Sequence, residues 1–176
     1  MAKSDPAKSD WADLSDTQMA RRLGKALGVG FVGNAEVGLG GVAAGLAEVR
    51  KDSWVALEIE LKHTHPTENL VQYWPWLERN RRRLVLVHAI APDARKRRGH
   101  RTDLTKWLGA TMERVLPGRF SFCRLELGTA DEAAQIDAAV AAIATLRASS
   151  HRRKLAPGLS CPHGPAGDQD LTEGVR

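Results

Sequence analysis

Between residues 54 and 62 the chain alternates, with Leu57, Ile59 and Leu61 on one side and Glu58, Glu60 and Lys62 on the other. A period of two is that of a β-strand. Arg50-Lys51-Asp52-Ser53 just before it reads as a turn, and 42–49, rich in Ala and Gly, as a weaker strand. Together they predict an antiparallel hairpin. The run 84–90 of Leu, Val and Ile around one His predicts a buried strand. From 120 to 127, Phe120, Phe122, Arg124 and Glu126 alternate with Ser121, Cys123, Leu125 and Leu127, which predicts another.

Helical spacing fills the intervals. Ser15 and Gln18 form a capping-box pattern, Met19, Leu23, Ala26 and Leu27 follow at helical spacing, and Gly28 is a stop, giving a helix over 15–27. Residues 29–41 are glycine-rich, with a brief strand around Phe31 and Val32. Thr64 and Pro66 open a second helix with Leu70, Tyr73, Trp74 and Leu77 on its apolar face, which Pro75 must kink or end. A basic loop precedes a helix near 102–116, and an alanine-rich helix covers 131–148 with Ile136, Val140 and Ile143 inward. Trp74 and Trp107 are expected in the core, with Trp76 left open. A hairpin followed by alternating helices and strands predicts an α/β fold, a mixed central sheet with helices on its faces.

The chain has 176 residues, enough for one domain over 15–148 between a loosely attached segment 1–14 and a disordered tail 149–176. No apolar run approaches the roughly 18 residues of a membrane span, and the polar start has no secretory pattern, so a cytoplasmic protein is expected. Cys123 and Cys161 make no disulfide framework or zinc motif. The net charge of +5 is concentrated in two blocks: Arg79, Arg81, Arg82 and Arg83, then Arg95, Lys96, Arg97, Arg98 and Arg101 around His100. Two such blocks suit a polyanion such as a nucleic-acid backbone, although charge runs also serve as plain solvated surface.

The chemistry centres on Glu58, Glu60 and Lys62. An ordinary wet strand face would explain all three. A face covered by the later helices would instead hold two carboxylates about 7 Å apart along the strand, able to share a hydrated Mg²⁺ or Mn²⁺. A neighbouring lysine would then orient or deprotonate a water. The rival set His63, His65 and Glu60 offers a transition-metal site, or Thr64 is a plain N-cap. His88 reads as a hydrogen-bonded core histidine. Gly38-Leu39-Gly40-Gly41 lacks the lysine of a phosphate loop.

The run Val55-Ala56-Leu57-Glu58-Ile59-Glu60-Leu61-Lys62 resembles the third core strand of the PD-(D/E)XK (restriction endonuclease-like) superfamily, with Glu60 and Lys62 matching its E-x-K pair. Gln72 is similar to a glutamine that some subfamilies place one helix later. The element order over 15–127 resembles the αβββαβ core of that family. The resemblance implies a metal-dependent nuclease with Glu60, Lys62 and Gln72 catalytic and Glu58 and Glu60 on the metal. A homodimer is compatible with it. The family's other acid normally lies on the preceding hairpin strand, where this chain has Ala43 and Ala44. Glu58, Glu48 and Glu36 are the substitutes. The alternatives are an inactive nucleic-acid-binding module of the same fold, or a protein-interaction domain with an acidic partner.

Overall fold

The computed structural model describes residues 11, 13–37, 41–61, 66–80 and 82–148, with the side chains at 66–68, 80 and 95–102 outside that description. Lys62, His63, His65, Arg81 and Cys161 therefore lie outside the described residues, as do most of 1–14 and all of 149–176.

Helix α1 (Asp16–Leu27) has the expected capping box, with Ser15 and Gln18 bonding each other's backbone, and Gly28 ends it in the left-handed conformation. Next come Val32, bridged antiparallel to Leu46, and a small two-stranded sheet of β1 (Ala35–Val37) and β2 (Gly41–Ala43). The weak strand expected over 42–49 is thus split at Ala44, and β3 (Gly45–Arg50) forms the hairpin with β4 (Ser53–Glu60). Asp52 turns the hairpin at φ 58°, and Glu48 accepts its backbone N–H at 2.9 Å. Glu48 is therefore a turn former at the end of β4 remote from Glu60.

The second helix breaks in two, α2 (Pro66–Val71) and α3 (Tyr73–Asn80), at Gln72 and not at Pro75. The cause is Pro75 all the same. Its ring clashes with the carbonyl four residues back, which is that of Val71, the last residue of α2. Pro75 itself falls in the first turn of α3, where its missing N–H costs nothing. After β5 (Arg83–Ile90), α4 spans Pro92–Val115. The basic segment expected as a loop is its first ten residues, because Pro92 pre-sets the helix start and Asp93 favours the dipole there. Strand β6 (Phe120–Glu126) and helix α5 (Glu132–Ala148) complete the chain.

The main sheet runs β3-β4-β5-β6, antiparallel at the hairpin and parallel from β4 to β6. Residues Val55, Leu57, Ile59, Val85, Val87, Ala89, Leu125 and Leu127 pack with Met19, Leu23 and Leu27 of α1 and Ala139, Ile143 and Leu146 of α5. The opposite face packs Ala56, Leu84, Leu86 and Phe120 against Tyr73, Trp76, Leu77, Met112 and Leu116. This is the expected mixed α/β architecture, with helices on both faces.

Several packing expectations change. Val140 faces out, and Ala139 and Leu146 take the inward positions with Ile143. Trp74 is half-buried with its indole donating to Glu78 at 2.8 Å, Trp107 is 62% exposed, and Trp76, undecided from sequence, is buried. In α4 the inward stripe is Thr105, Gly109, Met112 and Leu116, which leaves Trp107 on the outer side. Trp11, within the segment expected to be loose, is buried in the core and its indole donates to Glu132 at 3.0 Å. Among the described residues no helix is long and apolar enough to cross a membrane.

Candidate functional site

The three parallel strands change character at the same depth. On the face under α2, α3 and α4, β4 reads Trp54, Ala56, Glu58, Glu60. Strand β5 reads Leu84, Leu86, His88, Ile90, and β6 reads Phe120, Phe122, Arg124, Glu126. The register sets Glu58 beside His88 and His88 beside Arg124, with Glu60, Ile90 and Glu126 in the next row. Strands lie about 4.8 Å apart, so the first row is a lateral line of polar groups about 10 Å wide, and the second sets Ile90 between two carboxylates. Both rows sit at the carboxyl ends of parallel strands, where open α/β sheets bind ligands.

The face is not wet. Glu58 is 4% exposed, Glu60 1% and His88 0%. Of the two readings of the Glu58–Glu60 alternation, the covered face is the one found.

Tyr73, just past the Pro75-induced break, donates its hydroxyl to Glu58 Oε1 at 2.5 Å, and Gln72 in the break donates Nε2 to the same oxygen at 3.3 Å. Gly41 of β2 makes room for this, since a Cβ there would overlap the Gln72 carboxamide. Burial pushes the Glu58 carboxyl up to about 7, against the Tyr73 and Gln72 hydrogen bonds, which lower it, and with the Glu60 charge, which raises it. Burial likewise drives the Tyr73 hydroxyl well above its ordinary range, helped by Glu58. His88 is held down at about 4, by burial first and then by the Arg124 charge. Among the described residues neither of its ring nitrogens has a hydrogen-bond partner, so the hydrogen-bonded core histidine expected from sequence is buried but not bonded.

Arg124 meets Glu126 at 2.7 Å and Asp103 of α4 at 3.7 Å. Both pairs are only partly covered, so Arg124→Met is expected to cost about 1–2 kcal/mol, below the range for fully buried pairs. Adding Glu126→Gln should recover part of that loss in chemical denaturation at pH 7. Strictly additive losses would refute the pairing.

As a metal centre the donor set is small. Among the described residues no group of three or more His, Cys, Asp or Glu is placed to hold an ion. Two buried carboxylates fit Mg²⁺ nonetheless, because that ion keeps several waters and completes its octahedron with substrate phosphates. The repulsion between Glu58 and Glu60 is the term a cation would relieve. Continuing the hairpin register from Gly45 opposite Leu57 puts Ala44 opposite Glu58, so β3 adds no acid. Glu36 is exposed on β1.

The basic blocks are separated by the fold. Arg83 pairs with Ser53 at the start of β4, while Glu60 pairs with Ile90, seven residues and about 23 Å further along. Arg82 lies over the rings of Trp54 and Trp76 at 5.2 and 4.7 Å, and Arg83 donates to the Gly118 carbonyl at 3.1 Å. Arg79 is exposed in α3. The second block, Arg95, Lys96, Arg97, Arg98 and Arg101, belongs to the helix that leaves the sheet beside the polar rows.

Sequence reasoning missed Arg124, Glu126, the Tyr73 hydroxyl and the place of His88 in the row. The signal was available: aligning the three strands at the point where each turns from apolar to polar sets 58, 88 and 124 side by side. Comparison of the chain with models of known protein families, with curated proteins and with solved structures found no match.

Proposed function

We propose that this chain is a cytoplasmic, metal-dependent nuclease-like domain that hydrolyses phosphodiester bonds in DNA at the polar end of its sheet. The observation that carries the reading is the burial of Glu58 and Glu60 on one covered strand face, at the carboxyl ends of parallel strands. Glu58 and Glu60 hold Mg²⁺ or Mn²⁺. Bound there, the ion supplies Lewis-acid stabilisation of phosphate charge and lowers the pKa of a water. Gln72 and Tyr73 fix the Glu58 carboxylate, and burial excludes competing solvent. Lys62 takes the water-orienting role that the E-x-K resemblance gives it. The basic half of α4 holds the phosphate backbone near the acids.

The test is cleavage of end-labelled single-stranded, duplex and branched DNA by the wild-type chain with Mg²⁺, with Mn²⁺ and with chelator. Fragments are expected only with metal, and intact DNA under every condition would remove the reading.

One observation favours an inactive nucleic-acid-binding module instead: the chain before β3, where the resemblance places an acid, carries Ala43 and Ala44. That alternative predicts salt-sensitive binding indifferent to divalent ions. Calorimetric Mg²⁺ binding that disappears in Glu60→Ala would count against it.

A further inference from the structure

Helix α4 has two working sides. Its inner side packs on β6 through the buried stripe of Thr105, Gly109 and Met112, while Asp103, itself exposed, reaches Arg124 from the outer line. Its outer side carries Trp107, 62% exposed, with Leu104, 49% exposed, one turn before it. Burying an indole is among the largest gains open to a side chain, and this helix leaves one in water. Lys106 beside it and Arg114 two turns on are also exposed, and Trp107 and Arg114 follow one line along the helix, seven residues apart. The first ten residues of the same helix add Arg95, Lys96, Arg97, Arg98 and Arg101, against the single acid Asp93.

We propose that the outer face of α4 around Leu104, Lys106, Trp107 and Arg114 is a stacking platform for unpaired bases of single-stranded nucleic acid. An exposed indole with Lys106 and Arg114 beside it, and with the neighbouring Asp103 paired to Arg124, matches that ligand on both counts, because every base has a flat π-face and every nucleotide a negative phosphate. The same charge opposes a second copy of this chain as the occupant, since a two-fold contact centred on Trp107 would set Lys106 and Arg114 of one copy against those of the other. The platform deepens the nucleic-acid reading above and rests on it. It selects single strands over duplex, whose bases are stacked away, and delivers them along the helix that covers the acid rows.

The experiment is fluorescence anisotropy of the full chain in chelator, with a labelled single-stranded oligonucleotide and a labelled duplex, so that cleavage plays no part. Trp107→Ala is expected to weaken single-strand binding roughly 5- to 100-fold, with Trp107→Phe retaining most of the affinity and duplex binding changing less than about twofold. Lys106→Ala should reduce the slope of log affinity against log salt by about 0.7. Trp107 is mostly exposed, so the variants should fold, and circular dichroism checks that they do. Equal single-strand affinity of wild type and Trp107→Ala would overturn the platform while leaving the nucleic-acid reading standing. Equal losses on single strand and duplex would overturn it too, as would a wild-type dimer that dissociates on Trp107→Ala. Wild-type protein that binds neither ligand at low salt would remove both.

Discussion

Glu60→Gln is expected to lower divalent-dependent cleavage by roughly 10³-fold, the scale on which loss of one electrostatic contributor to a transition state is felt. The substitution keeps the shape of a side chain that is 1% exposed on the last position of β4 and removes only its charge. A carboxamide oxygen is a poor ligand for a hard cation next to a carboxylate, so the ion loses one of its two protein donors. A structural role would show differently. If Glu60 served only the fold, denaturation midpoints would fall and residual activity would track the folded fraction. The charge also acts on its neighbour. Because Glu60 raises the Glu58 carboxyl, its removal should move the metal-free Glu58 titration below about 7, visible in the carboxyl infrared band. A variant that cuts like the wild type at saturating Mg²⁺ would sink the assignment, whatever its stability.

The strands and their order were legible because burial writes itself into alternation. Leu57 and Ile59 could be assigned to one side of their strand and Leu125 and Leu127 to one side of theirs, and the capping box at Ser15 and the stop at Gly28 gave α1 to within a residue. The misreadings share a physical cause. Local charge says little about backbone conformation, so the first ten residues of α4 read as a loop although Pro92 could have announced the helix. Helical spacing shows that a face exists but not which face is inward. Trp107 and Val140 were assigned inward on hydrophobicity, while small Gly109 and Ala139 hold those positions because close approach there leaves little room: a Cβ at Gly109 would run into the Phe122 ring. In the site, Glu58 and Glu60 were visible along a single strand. Arg124 and His88 join them only through register between strands distant in sequence, which no local window contains.

Glu58 and His88 are expected to hide each other in the pH dependence of stability, and Glu58→Gln to expose the concealed slope. In the folded chain the Glu58 carboxyl sits at about 7, above its ordinary 4.5, and the His88 imidazole at about 4, below its ordinary 6.5. Between pH 4.5 and 6.5 the folded pair carries one proton, on Glu58, and the unfolded pair also carries one, on the histidine. Equal proton counts mean no slope, so this pair contributes a plateau. Above 6.5 the folded state still binds a proton that the unfolded state has lost, and stability falls as pH rises through 7. Below 4.5 the unfolded state binds the extra proton, and stability falls as pH drops towards 4. With Glu58→Gln only the histidine remains. Its folded value is depressed, so the unfolded state binds more protons throughout 4 to 6.5, and stability should climb with pH across that window. At about 1.4 kcal/mol per pH unit the variant gains roughly 3 kcal/mol on the wild type between pH 4.5 and 7. Urea denaturation in chelator at half-unit steps measures the difference directly, and all other titrating groups cancel in it. The converse replacement, His88→Asn, should tilt the plateau the opposite way, with stability falling from pH 4.5 to 7. Parallel curves for wild type and Glu58→Gln would mean that water reaches the carboxylate, and with it that the covered polar row is open.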